Sequence, residues 1–181
     1  MSPSVLLGFL VRYSPEWLVR QVSDDSQQIS LSSQKGKPVG LIFGSYTCPL
    51  FHAHGHDIEK VHQKYKEQVN FLFVYPSEAH PTEGWAIKAN EGKDICFARP
   101  KTMDEKRHLA QLTKDGFNLG MPILMDGLDD RVDDLYGGMP VRLYVIDKDG
   151  IVQFQGPVGP IGFSVEAWEK TIQRLVTASD Q

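Results

Sequence analysis

Val39-Gly40-Leu41-Ile42-Phe43-Gly44-Ser45-Tyr46-Thr47-Cys48-Pro49-Leu50-Phe51 is the stretch from which the fold can be read. Val39 to Ser45 reads as a strand whose apolar part is buried. Leu50 to Gln68 suits a helix, weakened slightly by Gly55. The small-residue turn between them sets Cys48 at the start of that helix. Helix N–H groups and the helix dipole stabilise a thiolate at such a position, which predicts a depressed thiol pKa and a reactive sulfur. Pro49 fits the first helical turn, where a missing N–H costs nothing.

Working outward, Val69 to Tyr75 is a nearly continuous apolar run, as a buried parallel strand requires. Pro76 to Asp94 reads as loop with one helical turn after Trp85. Met103 to Lys114 is helical, Met121 to Met125 a short strand, and Leu128 to Tyr136 a short helix. Val141 to Asp147 and Ile151 to Gln155 are strands joined by Lys148-Asp149-Gly150, a hairpin signal. Ser164 to Ala178 is a closing helix with Ser164 as N-cap and Glu166 in its first turn. Upstream, Glu16 to Val22 reads as a short amphipathic helix, and Ser23 to Gly36 as a polar linker. Residues 1–36 are thus expected to be an extension, and residues 37–181 the domain.

Strand–helix–strand, an insertion, a hairpin and a final helix resembles the thioredoxin fold: an α/β architecture with a central mixed sheet flanked by helices. In that fold a proline opens the strand beside the thiol. Pro140 supplies it, and Met139–Pro140 is predicted to be cis and close to Cys48.

Composition limits the function. The 181 residues carry a net charge of −4 and are 41% apolar. One core can be built, and nucleic-acid binding or a basic membrane surface is disfavoured. The two cysteines, Cys48 and Cys96, form no CxxC, which fits a reducing compartment better than a disulfide scaffold. The apolar run Val5 to Val11 is far short of the about 20 residues a membrane span needs. A packing or interfacial role for that run, and a cytoplasmic location, are the expectations.

Three separated blocks resemble the iodothyronine deiodinases. The family pattern G-S-x-T-U-P-x-F, where U is selenocysteine, is similar to Gly44 to Phe51 with Cys48 at the selenocysteine position. Its E-E-A-H-x-x-D-G-W is similar to Ser77 to Trp85. Its P-x-R-L-Y-x-I and G-x-x-G-P segments are similar to Pro140 to Ile146 and Gly156 to Pro160. Together the blocks span residues 37–175. The resemblance implies a thiol oxidoreductase in which Cys48 attacks the iodine of an iodinated aromatic ring, such as an iodothyronine. It implies catalytic roles for Cys48, His80 and Glu78, with Ser45 and Thr47 lining the position. Trp85, Pro140 and Arg142 join them as candidate substrate contacts. It implies no bound cofactor and an external thiol reductant of the thioredoxin or glutathione type. Glu78 is expected to orient His80 as a proton donor. Cys96 is a candidate resolving thiol. A homodimer is left open.

Other readings of the same residues remain open. Cys48 also suits a peroxiredoxin-like thiol peroxidase acting on peroxide, or a thiol–disulfide oxidoreductase, although Ser45 stands where a peroxidatic site carries threonine. His52 and His56 share a helix face at i, i+4 one turn beyond Cys48, which is zinc-ligand spacing for a non-enzymatic metal-binding module. A solvated helix face, and no metal, is the preferred reading.

Overall fold

A computed structural model describes residues 17–179. The apolar run at residues 5–11 therefore lies outside the described residues. Strands β1 (Leu18–Gln21), β2 (Asp24–Ser30), β3 (Val39–Phe43), β4 (Asn70–Tyr75), β5 (Ile123–Met125), β6 (Arg142–Ile146) and β7 (Val152–Gln155) form a single mixed sheet. Its order is β2-β1-β5-β4-β3-β6-β7. Helices α1 (Pro49–Tyr65), α2 (Met103–Phe117), α3 (Arg131–Tyr136) and α4 (Val165–Ser179) cover it. This is the thioredoxin-like α/β architecture that the element order implies. Among the described residues no helix is long and apolar enough to cross a membrane.

Both faces of the central strands are buried, and the alternation of side chains assigns each to a layer. Ile42, Phe71, Phe73, Ile123, Leu143 and Val145 join α1, α2 and α4 in one core. Leu41, Phe43, Leu72, Val74, Leu124, Tyr144 and Ile146 face the other way, onto Trp17, Leu31 and α3. Gly40 is small because a Cβ there would come within 2.8 Å of the Phe71 ring and 3.0 Å of Trp168. Trp168, 0% exposed, anchors α4 and donates from Nε1 to the Tyr144 carbonyl at 2.7 Å. Ser164 caps α4 as expected, accepting the Ala167 N–H at 3.1 Å, and the expected helical turn after Trp85 is Lys88–Asn90.

The N-terminal reading is corrected. Residues 18–21 are strand β1, not helix, and the polar stretch contains strand β2. β1 lies antiparallel to β5, with Arg20 opposite Met125, and β2 closes that edge. Trp17, Val19 and Val22 fit a helical stripe as well as alternation over so short a run. The free edge of β5 decides between them. β2 is polar because an edge strand needs only its backbone to pair, and polar side chains protect the edge.

Candidate active site

Parallel pairing places the site. β3 and β4 run side by side with Phe43 opposite Val74, so the segments leaving their carboxyl ends emerge together. β6 is antiparallel to β3 with Arg142 opposite Phe43, so residues 139–141 enter at that same end. The segment after β3 carries Ser45, Thr47 and Cys48, and the segment after β4 carries Glu78 and His80.

Buried hydroxyls lace the segments together. Ser45 Oγ accepts the Ala79 N–H at 3.0 Å, and Thr47 Oγ1 accepts the His80 N–H at 3.0 Å. The Thr47 N–H donates to Glu78 Oε2 at 2.9 Å. The Tyr75 hydroxyl accepts the Tyr46 N–H at 3.0 Å and donates to Glu78 Oε1. Ser45 and Thr47 are each 0% exposed. Beside Cys48, as expected, they act as struts that fix the backbone around it. A buried hydroxyl needs a partner, and here the partners are the amides of the opposite segment.

Cys48 is the N-cap of α1, in extended conformation with Pro49 following, and its carbonyl accepts the His52 N–H at 3.1 Å. The thiol is 1% exposed. Burial pushes its pKa up, the Phe51 and Leu50 amides oppose this, and the Glu78 carboxylate adds to the rise. The expected depression is therefore overturned. A helix terminus is worth about 0.3–1 kcal/mol, whereas removing a thiolate from water shifts its pKa by up to a few units. The resting group is a thiol.

Glu78 is buried, which raises its pKa against the hydrogen bonds of Tyr75 and Thr47 and the charge of Lys106. Its bonds run to Tyr75 and Thr47, and the Trp85 carbonyl instead meets His80 Nδ1 at 3.1 Å. The backbone of Trp85, not Glu78, thus fixes the imidazole. A carbonyl only accepts, so Nδ1 carries a proton there. The Trp85 ring, 64% exposed, meets the His80 ring edge-on at 4.5 Å.

Met139–Pro140 is cis, as predicted from the sequence. Arg142 is held by backbone carbonyls. Its Nε donates to the Gly156 carbonyl at 2.7 Å, and Nη1 to the Tyr136 and Gly137 carbonyls at 3.0 and 3.1 Å. It clamps the segments flanking β6. Cys48 and Cys96 are both free. Cys96 Sγ donates to the Asn90 carbonyl at 2.8 Å, and Asn90 Nδ2 donates to the Thr47 carbonyl at 2.8 Å. Cys96 thus belongs to the loop that closes over Thr47. His52 Nε2 bonds the Tyr46 carbonyl at 2.6 Å, and His56 packs on Phe117. Among the described residues no three His, Cys, Asp or Glu side chains gather to hold a metal ion.

Sequence reasoning missed Tyr75, Asn90 and Lys106. A tyrosine closing an otherwise apolar strand was the available signal for Tyr75, since its hydroxyl must find a partner. Asn90 and Lys106 gave none.

Comparison with known proteins bears on this arrangement. Residues 13–176 match the family model for iodothyronine deiodinase. The thyroxine 5-deiodinase of Rattus norvegicus is 29% identical over 157 residues, 87% of this chain and 50% of that protein. That of Homo sapiens is 30% identical over 149 residues, 82% of this chain and 47% of that protein. The chain thus spans about half the length of these relatives. The thioredoxin domain of a thiol-disulfide oxidoreductase from Bacteroides vulgatus superposes with a TM-score of 0.63 at 13% identity, covering 92% of this chain and 96% of that one.

Proposed function

Because this chain belongs to the iodothyronine deiodinase family, we propose that it reductively removes iodine from an iodinated aromatic ring, with Cys48 as nucleophile. One observation carries the reading. Thr47, adjacent to the thiol, is bonded through its amide to Glu78 and through its hydroxyl oxygen to the His80 amide. The nucleophile, the carboxylate and the backbone that bears the imidazole are thereby tied to a single residue.

The roles follow from the electrostatics. Burial keeps the Cys48 proton on, so attack needs an acceptor. Glu78 has a raised proton affinity and is bonded to Thr47, which suits it to that task. The sulfur attacks iodine, a sulfur–iodine bond forms, the carbon–iodine bond breaks, and His80 Nε2, which first takes up a proton from solvent while Nδ1 keeps its own, delivers that proton to the ring carbon. The products are the deiodinated ring and a sulfenyl iodide on Cys48. An external thiol displaces iodide, giving a mixed disulfide and releasing a proton. A second thiol restores Cys48 and leaves as the oxidised disulfide. The exposed Trp85 ring beside His80 is the natural contact for an aromatic substrate.

The test is iodide release by purified protein with dithiothreitol, supplied separately with an iodothyronine, an iodotyrosine and hydrogen peroxide. Iodide release that disappears in Cys48→Ser is expected. Peroxide consumption through Cys48 with no iodide release from either iodinated compound would assign the site to peroxide chemistry instead.

A further inference from the structure

Lys106 is the charged group that this chemistry leaves unused. It projects inward from α2, and its side chain is 1% exposed. A lysine is almost never buried so fully without partners. Its Nζ donates to the Gly127 carbonyl at 2.8 Å and to Asp130 Oδ1 at 3.3 Å. Asp130, at the head of α3, accepts the Ser77 N–H on Oδ1 at 2.9 Å and the Ser77 hydroxyl on Oδ2. Ser77 immediately precedes Glu78. An ammonium on one helix is thus linked, through one carboxylate, to the backbone amide beside the buried carboxyl of the site.

The charges converge as well. Asp130, Asp126 and Glu78 all act on Lys106. Tyr75, Thr47 and Lys106 act on Glu78, which in turn acts on Cys48. Both Glu78 oxygens accept: Oε2 from the Thr47 N–H, and Oε1 from a Tyr75 hydroxyl whose own oxygen already accepts the Tyr46 N–H. That pattern suits a carboxylate, and a buried carboxylate needs positive charge nearby.

We propose that Lys106 is a positioning residue for the active site: it pins Ser77 through Asp130, and its charge keeps Glu78 ionised between Tyr75 and Thr47. The proposal rests on the reading of Glu78 as part of the site, so its test includes a readout that needs no turnover.

That readout is the urea midpoint measured from about pH 4.5 to 8. In Lys106→Met, Glu78 loses its counter-charge and its folded pKa rises. Groups so raised stabilise at low pH and lose that contribution as pH climbs through the folded pKa. The deficit of Lys106→Met relative to the parent protein should therefore grow with pH. It should shrink when Glu78→Gln is present in both proteins, because an amide needs no cation. A deficit equal at every pH and in both backgrounds would reduce Lys106 to space-filling and overturn the proposal. If Lys106→Met does not fold, Lys106→Met with Asp130→Asn removes both halves of the buried pair, and the Glu78→Gln comparison is run there with the same two outcomes. In turnover, the acid limb of kcat/KM for iodide release should move up by about one pH unit in Lys106→Met, the effect of losing a nearby opposite charge. An unmoved limb would also overturn it. Absence of iodide release from the parent protein would sink the deiodinase reading alone, and the urea cycle would still decide the role of Lys106.

Discussion

At the scale of single residues, Cys48 sets two effects against each other, and burial prevails. Its position at the head of α1 favours a thiolate, while 1% exposure and the neighbouring Glu78 carboxylate favour the thiol. The raised pKa has a kinetic signature. In a Cys96→Ser background, which removes the exposed thiol, the rate of Cys48 alkylation should climb about tenfold per pH unit and show no plateau below about pH 8.5, the ordinary cysteine value. A plateau near neutrality would contradict the burial argument. Cys48→Ser should abolish iodide release, since a hydroxyl is far less acidic and less polarisable than a thiol and is a poor nucleophile toward iodine even beside Glu78. His80 carries a separate prediction. With Nδ1 fixed by the Trp85 carbonyl, Nε2 is the atom left for proton transfer. His80→Ala should lower turnover by about 10²–10⁴-fold, the range of general acid catalysis. Full activity in a folded His80→Ala protein would leave the imidazole a purely structural role.

At the scale of elements, Gly55 separates local preference from packing. A glycine within α1 is a weakness of about 1 kcal/mol against alanine on propensity alone. Its absent side chain, however, is where α2 approaches: a Cβ there would lie 2.6 Å from the Phe117 ring. That ring cannot retreat easily, because Phe51, His52 and His56 surround it. Overpacking costs about 1–3 kcal/mol, which exceeds the helical gain. Gly55→Ala should therefore lower stability by about 1 kcal/mol in urea denaturation, where propensity alone predicts an increase of similar size.

At the scale of the whole molecule, the N-terminal hairpin belongs to the sheet that carries the site. β1 pairs with β5, and Trp17 packs against α3 with its Nε1 donating to the Tyr136 hydroxyl at 3.2 Å. Tyr136 in turn offers its carbonyl to Arg142 and Tyr144. Trp17→Ala should cost about 3 kcal/mol by thermal or urea unfolding, the usual range for an emptied aromatic site. Removing residues 1–36 should bare the β5 edge and one core layer, giving a protein that associates or melts without a cooperative transition. A monomeric, cooperatively folding 37–181 fragment would show that the hairpin is an accessory to the sheet.

The sequence by itself determined the order of elements from Val39 onward, the place of Cys48 and the proximity of Glu78 and His80 to it. Each of those signals is local. A doubly buried strand is a continuous apolar run, and parallel strands deliver their carboxyl-end loops to one place. Tertiary structure alone decided what depends on distant partners. Whether residues 18–30 were helix and linker or strands turned on the unpaired edge of β5, about a hundred residues away. Arg142, legible as a candidate substrate contact, is taken by backbone carbonyls on both sides of β6. Lys106 reads as an ordinary lysine of an amphipathic helix until Asp130 and Gly127 close over it. Even the sign of the Cys48 shift was tertiary. The helix dipole is written in the local sequence, but desolvation depends on everything packed around the sulfur, and for a buried thiol it is the larger effect.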